Sequence, residues 1–191
     1  MKAPSVEAFL EEIRAEFPRF RIVEKRESTF SKAIDVALRI ITLGAQREYM
    51  TRYHTVIGNT LYVPDKWERT SDVAKVITLR HERVHLRQRR RYGDVLMTFL
   101  YLIPFFPLGL AYGRARIEWE AYTETIRATA EYHGLEAAEA LRPYIVSQFT
   151  SGAYGWMWPF PRTVHRWFDE AMQQVRAELA SVPVRPIVPA D

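Results

Sequence analysis

Two histidines and a glutamate occur as His81, Glu82 and His85 in the stretch "RHERVH". In an α-helix, residues four positions apart lie on one face about one turn from each other, so both imidazoles can aim at one point. Zinc favours such nitrogen ligands, and in H-E-x-x-H the intervening glutamate can act on a water that the metal activates. The spacing therefore predicts a Zn²⁺ site with His81 and His85 as ligands and Glu82 as the catalytic base.

The helix that must carry this motif has a matching pattern. Ser71 or Thr70 can cap its N-terminus, and Gly93 can end it. Most of the arginines occupy other sides of the helix than the histidines, which are therefore expected to face inward. An alternative is that the two histidines only pack or hydrogen-bond on a buried face. The side that carries the first histidine is formed by Val73, Ile77, His81, Val84 and Gln88.

A mononuclear hydrolytic zinc site has three protein ligands and an open position, so a third ligand is needed. The chain continues "LRQRRRY" after the motif, which excludes a third histidine at the extended H-E-x-x-H-x-x-G-x-x-H spacing. Cysteine is absent from the chain. The next concentrated carboxylates are Glu118, Glu120 and Glu124 in "RARIEWEAYTET", on a helix that follows a hydrophobic segment.

With these residues the sequence resembles the gluzincin metallopeptidases over residues 78–122. In that family the third ligand is a glutamate on a downstream helix, in a pattern of the form E-x-x-A-D or E-x-x-S-D, and "EWEAY" matches its Glu and Ala. The resemblance implies Glu118 as the third ligand, with Glu120 as the alternate. Tyr122 stands where the family has an aspartate that orients a ligand histidine, so Tyr122 is the expected partner of such a histidine.

The function implied by the resemblance is that of a zinc-dependent metallopeptidase acting on a peptide or protein substrate. Zinc would activate a water, and Glu82 would take its proton and return it to the leaving amine. A group that stabilises the oxyanion is also expected, and the candidates are His165, Tyr154 and Tyr144. A β-hairpin before the motif helix could offer an edge strand to an extended substrate, or could only cover core.

The elements that must position these residues indicate an α+β fold, a mostly helical single domain. A small antiparallel β-hairpin or sheet packs on the motif helix, in a minimal zincin-like arrangement. The domain covers 1–182, and 183–191 form an extended proline-rich tail. The expected elements are a helix from Ser5 to Phe17, a strand in "FRIVEKR", a helix at 29–43, a hairpin at 49–63 turning at Gly58-Asn59, and helices at 114–133, 135–150 and 161–181.

Residues 95–112 form an uncharged run of 18 residues, which reaches the lower limit for a transmembrane helix. Pro104 and Pro107 interrupt it. A single span would also place His85 and Glu118 on opposite sides of a hydrocarbon layer about 30 Å thick. The zinc site therefore requires two short helices hinged at the prolines, and this hairpin could be core, a membrane-dipping loop or a partner-binding surface.

The charge and the N-terminal sequence limit the remaining classes of function. The net charge of +4 is modest, so nucleic acid is not expected as a partner. The N-terminal residues lack the apolar core of a secretory signal, and we expect a cytoplasmic or otherwise non-secreted protein, with peripheral membrane association left open. Three alternatives to the soluble peptidase remain: an inert metal binder with a structural or assembly role, a membrane-associated peptidase, and a basic binding module without metal.

Overall fold

The computed structural model describes residues 5–29, 31–32, 35–36, 50–51, 54–102, 111–151 and 157–181, with the backbone alone at 98, 99, 101 and 102. Most of the helix expected at 29–43 lies outside these residues. The same holds for the proline hinge at 104–107, for Tyr154 and for the tail. Residues 49, 52 and 53 of the expected β-hairpin and residues 103–110 of the expected helical hairpin also lie outside. The remaining expected helices and the expected strand fall within the described part of the chain.

The N-terminal helix α1, Val6–Glu16, begins where the sequence predicts. The Ser5 side chain accepts a hydrogen bond from the backbone N–H of Ala8 at 3.2 Å, which satisfies one of the free N–H groups at the helix start. Strand β1, Arg21–Glu24, follows and leads into a short 3₁₀ helix, Lys25–Glu27. This 3₁₀ helix matters for the site because it introduces Lys25 into the protein interior.

The expected hairpin is present as β2, Thr55–Ile57, and β3, Thr60–Val63. It turns at Gly58, whose φ of 62° suits glycine. The sheet differs from the antiparallel expectation, because β1 joins β3 in parallel and the strand order is β1-β3-β2. A parallel pair needs a long crossover connection, and the chain between β1 and β3 supplies it. The sheet is therefore mixed, with β2 at one edge.

Helix α2, Asp72–Leu102, carries the histidines. Its start is capped by Ser71, whose Oγ accepts from the N–H of Ala74 at 3.4 Å. Gly93 interrupts it with φ 77° and ψ 162°, so the expected stop is confirmed as a sharp break before a second helical stretch. In the part of the chain that the structure describes, no helix is long and apolar enough to cross a membrane.

The C-terminal half contains α3 to α6. Gly134, at φ 89°, ends α3 as expected. The single helix expected at 135–150 is two helices, because Pro143 has no N–H to donate to the preceding turn and instead occupies the first turn of a new helix. The bounds are α3 Tyr112–His133, α4 Leu135–Ala140, α5 Arg142–Thr150 and α6 Pro161–Ser181.

Two hydrophobic cores organise these elements, and the fold is mostly helical and α+β, as the sequence predicts. The N-terminal core lies between α1, the sheet and α2, and the C-terminal core lies between α3, α5 and α6. Helices α2 and α3 pack against each other and join the two. Central members are Ile13, Leu61, Val63, Val76, Leu79 and Leu86 in the first core and Trp119, Ile126, Ile145, Phe149, Trp167 and Phe168 in the second.

Candidate metal centre

The packing of α2 on α3 brings His81, His85 and Glu118 together. One ligand atom from each lies within 4.8 Å of the others, and His85 Nε2 is 3.8 Å from Glu118 Oε2. The donor atoms of a tetrahedral zinc ion stand about 3.4 Å apart, given metal–ligand distances of about 2.1 Å. The group therefore needs only small side-chain shifts to close on an ion, and it contains the two imidazoles and one carboxylate of many catalytic zinc sites.

Gln88 determines which nitrogen of His85 is available to a metal. The Gln88 amide nitrogen donates to the Ile117 carbonyl at 3.0 Å and to Glu120 Oε2 at 2.8 Å, which orients its oxygen toward His85. His85 Nδ1 lies 2.9 Å from that oxygen and must be the donor, since an amide oxygen only accepts. In neutral His85 the lone pair is therefore on Nε2, the nitrogen that faces Glu118.

Thr125 determines which nitrogen of His81 is available to a metal. The Thr125 hydroxyl donates to the Ala121 carbonyl at 3.2 Å, and its oxygen lies 2.9 Å from His81 Nδ1. Because the hydroxyl proton is already used, His81 Nδ1 donates and its Nε2 keeps the lone pair. Burial holds the pKa of His81 well below its usual range, with His85 and His54 acting in the same direction, so the neutral ligand form is favoured.

Glu120 and Tyr122 take other positions than Glu118. Glu120 is exposed and accepts the Gln88 hydrogen bond, so it supports the site through Gln88 and is not in the group of potential ligands. Tyr122 is buried with its ring edge-to-face on the His81 ring, the centroids 5.1 Å apart. Thr125 contacts His81 Nδ1, and a hydrogen bond from Tyr122 to a ligand histidine stays a prediction.

Glu82 is buried beside the three potential ligands, with 6% of its surface exposed. Burial raises the pKa of Glu82 to about 7; His85 and Lys25 oppose the shift, and Glu118 adds to it. A carboxyl with a pKa near neutral can both accept and release a proton near pH 7. Its position is thus suited to a general base, and a cation bound at the histidines would favour its ionised form.

Lys25 and His54 lie at the same site, and sequence reasoning did not find them. Lys25 is fully buried and donates to the Thr55 hydroxyl at 3.2 Å; burial lowers its pKa to about 8, against the opposing influence of Glu82 and Asp35. His54 packs edge-to-face on Trp67 at 5.4 Å. Burial lowers the pKa of His54 to about 4, and Lys25 acts in the same direction.

The residues predicted to stabilise the oxyanion do not lie in the group of potential metal ligands. His165 lies on the exposed side of α6, and Tyr144 is half exposed with its ring 6.5 Å from that of Tyr122. Tyr154 is outside the described residues. Buried Lys25 acts electrostatically on Glu82, and half-buried His54 acts on His81.

One of the residues that the sequence analysis did not assign to the site could have been found from its spacing. Gln88 follows His85 by three residues, a spacing that places both on one face of a helix. Thr125, Lys25 and His54 had none, because they approach the motif from other elements of the fold.

A search of protein-family models, curated proteins and solved structures finds no match to this chain. The donor set and its hydrogen bonds therefore carry the functional proposal.

Proposed function

We propose that the protein is a zinc-dependent metallopeptidase. The observation that carries the proposal is that a ring nitrogen from each of His81 and His85 and a Glu118 carboxylate oxygen lie close together, with buried Glu82 beside them. The same donor set also suits Fe(II), but a buried carboxyl with a pKa of about 7 at this place favours hydrolysis. His81, His85 and Glu118 would hold the ion.

When bound, zinc supplies a Lewis acid that polarises the substrate carbonyl and makes a water nucleophilic near neutral pH. The Glu82 carboxylate accepts a proton as the water oxygen bonds to the peptide carbon. It then passes that proton to the amide nitrogen as the C–N bond breaks, which yields a carboxylic acid and an amine. Lys25 favours the ionised form of Glu82, which is the form that can accept the proton.

The sheet edge supports a peptide as the substrate. Among the described strands β2 is an edge strand, and it begins immediately after His54. An extended peptide that pairs with β2 by main-chain hydrogen bonds would run past His54 toward the ligands. His54, which is near His81, is then the side chain on this path that can contact the substrate carbonyl.

The first test is metal content by mass spectrometry on protein without a histidine tag. The parent should hold one zinc per chain, and Glu118→Gln should lose it because an amide is a poor zinc ligand. Glu120→Gln is the matched control: it is two residues away, and the new amide oxygen can still accept from Gln88. Absence of zinc from the parent after exposure to it would overturn the proposal.

The second test is hydrolysis of a broad peptide mixture by zinc-loaded protein. The parent should cleave, and Glu82→Gln should keep its zinc and lose about 10²-fold or more of the rate, since the amide cannot accept the proton. Stoichiometric zinc without Glu82-dependent cleavage would contradict a peptidase and assign the site to a metal-binding protein with a structural or assembly role.

A further inference from the structure

The positive charge of the chain is concentrated in one stretch. Residues 87–116 contain six arginines and one acidic residue, Asp94, a net charge of +5. The whole chain carries +4, so all other residues together sum to −1. Arg87 and Arg90 pair with Glu16, and Arg89 pairs with Asp94. The exposed arginines Arg91 and Arg116 therefore carry the positive charge that this stretch offers to a ligand.

Exposed apolar side chains lie in the same stretch. Val95 is 86% exposed and Leu96 45%, directly after the break at Gly93, and Tyr112 is 54% exposed at the start of α3. The second part of α2 and the start of α3 are neighbours, because the Leu100 side chain lies against the Gly113 backbone so closely that a Cβ there would be 2.7 Å away. The exposed residues of both helices therefore lie at one end of the molecule.

An aromatic group extends this end toward α6. The Tyr112 ring is 5.2 Å from the Trp158 ring, which is 5.0 Å from the Phe160 ring. Phe160 is 45% exposed. We call Val95, Leu96, Tyr112 and Phe160 the apolar end surface.

Arginines border the apolar end surface and remain accessible. Arg91 is exposed with its guanidinium 5.3 Å from the Tyr92 ring centre, and exposed Arg116 lies 5.4 Å from that of Trp167. Arg162, in the first turn of α6, is also exposed. Ring contacts leave the charge of these side chains available to an anion, so the border is basic around an apolar centre.

We propose that the apolar end surface docks on an anionic lipid bilayer. Its apolar side chains enter the headgroup region, tyrosine at its usual interfacial level, and the arginines contact lipid phosphates. A second copy of this chain fits less well, because two surfaces bordered by positive charge repel each other. Nucleic acid would match the arginines but would leave Val95 and Leu96 in water. The docking is peripheral and does not depend on the metal.

The test is co-sedimentation of metal-free protein with vesicles of pure phosphatidylcholine or of phosphatidylcholine with phosphatidylglycerol, at low and high salt. The parent should bind the anionic vesicles and lose most binding at high salt. The double variant Val95→Glu, Leu96→Glu should bind at least about tenfold more weakly, because it removes apolar burial and adds like charge. Arg91→Gln should bind about fivefold more weakly.

Leu135→Glu is the matched control. Leu135 is 38% exposed just beyond the opposite end of α3, about 33 Å away along a helix of 22 residues, and its variant should bind like the parent. Thermal melting confirms that each variant folds. Equal binding of the parent and the double variant, or no binding to anionic vesicles, would overturn the proposal. The proposal would also be overturned if the parent formed a dimer, the double variant did not, and neither bound vesicles. That result would assign the surface to a second copy of the chain.

Discussion

The two cores of this protein pack different helices and supply different halves of the candidate site. The N-terminal core is largely aliphatic, and its helix α2 contributes His81, Glu82 and His85. In the C-terminal core the rings of Trp119, Phe149 and Trp167 pack on one another, and its helix α3 contributes Glu118 and Thr125. Neither core contains the site. The polar groups that could bind a metal meet only at the seam where α2 packs on α3.

The seam differs from both cores in being polar along its length. Besides the potential ligands, Arg80 of α2 pairs with Glu124 at 2.6 Å and with Glu131 of α3. Burying these groups is costly unless each finds a partner, and the hydrogen bonds through Gln88 and Thr125 supply such partners. The comparison shows that the two cores hold α2 and α3 in place, while the polar groups between these helices provide the potential metal ligands and their hydrogen-bond partners.

The largest expected effects come from truncating either core. Phe149→Ala in the C-terminal core should lower the free energy of unfolding by about 3–5 kcal/mol, and Leu79→Ala in the N-terminal core by about 2–5 kcal/mol, because both side chains are fully buried. Urea unfolding followed by tryptophan fluorescence and by circular dichroism measures both. If the cores are one cooperative unit, the two probes should coincide; separate transitions would show that the halves unfold independently.

Zinc should stabilise the seam by a smaller amount. At a free concentration of about one hundred times Kd, an ion that binds only the folded state adds about 2.7 kcal/mol to the free energy of unfolding. Thermal melting with and without a chelator should show this gain in the parent and not in His85→Ala. His165→Ala, an exposed histidine on α6, is the control and should keep the gain; a gain retained by His85→Ala would place the ion elsewhere.

The hydrogen bond from His81 to Thr125 should tune metal affinity. Thr125→Val keeps the shape but removes the acceptor, and the zinc affinity should fall about 10–100-fold, as for other outer partners of ligand histidines. Thr123→Val is matched, because its hydroxyl likewise bonds a carbonyl one turn back on the same helix. Competition with a fluorescent chelator measures both. An equal loss in the two variants would indicate helix weakening, not orientation of His81.

The smallest expected effect comes from the ion pairs between α1 and α2, which lie outside both cores and outside the α2–α3 contact. Glu16 contacts Arg83, Arg87 and Arg90, and the hydrogen bond from Arg87 lowers the pKa of Glu16 to about 2. At pH 7 we expect Glu16→Gln to cost about 0.2–1 kcal/mol, since Arg87 and Arg90 are exposed and ion pairs at the protein surface contribute little.

The pH dependence of that difference has a definite sign. Because the pKa of Glu16 is lower in the folded state than its usual 4.5, its contribution is present above pH 4.5 and is lost as the pH falls toward 2. The difference between parent and variant in acid unfolding should therefore shrink over that range. A difference that stays constant from pH 7 to pH 2 would show that the charge of Glu16 is not involved.

The sequence predicted the secondary structure well where signals were local. The Ser5 cap, the turn at Gly58 and the breaks at Gly93 and Gly134 are all observed. The parallel pairing of β1 with β3 was not predicted, because it joins segments nearly forty residues apart. The break at Pro143 had a readable local signal that the prediction of one continuous helix passed over.

For the candidate site, the sequence by itself determined that His81 and His85 share a helix face with Glu82 adjacent, because helical geometry sets the relation of residues four apart. The tertiary structure decided the rest. Glu118 and not Glu120 meets the histidines because the packing of α2 on α3 selects one side of α3. Thr125, Lys25 and His54 reach the same place from distant segments. Such contacts depend on how whole helices and strands pack, and no short sequence pattern predicts that packing.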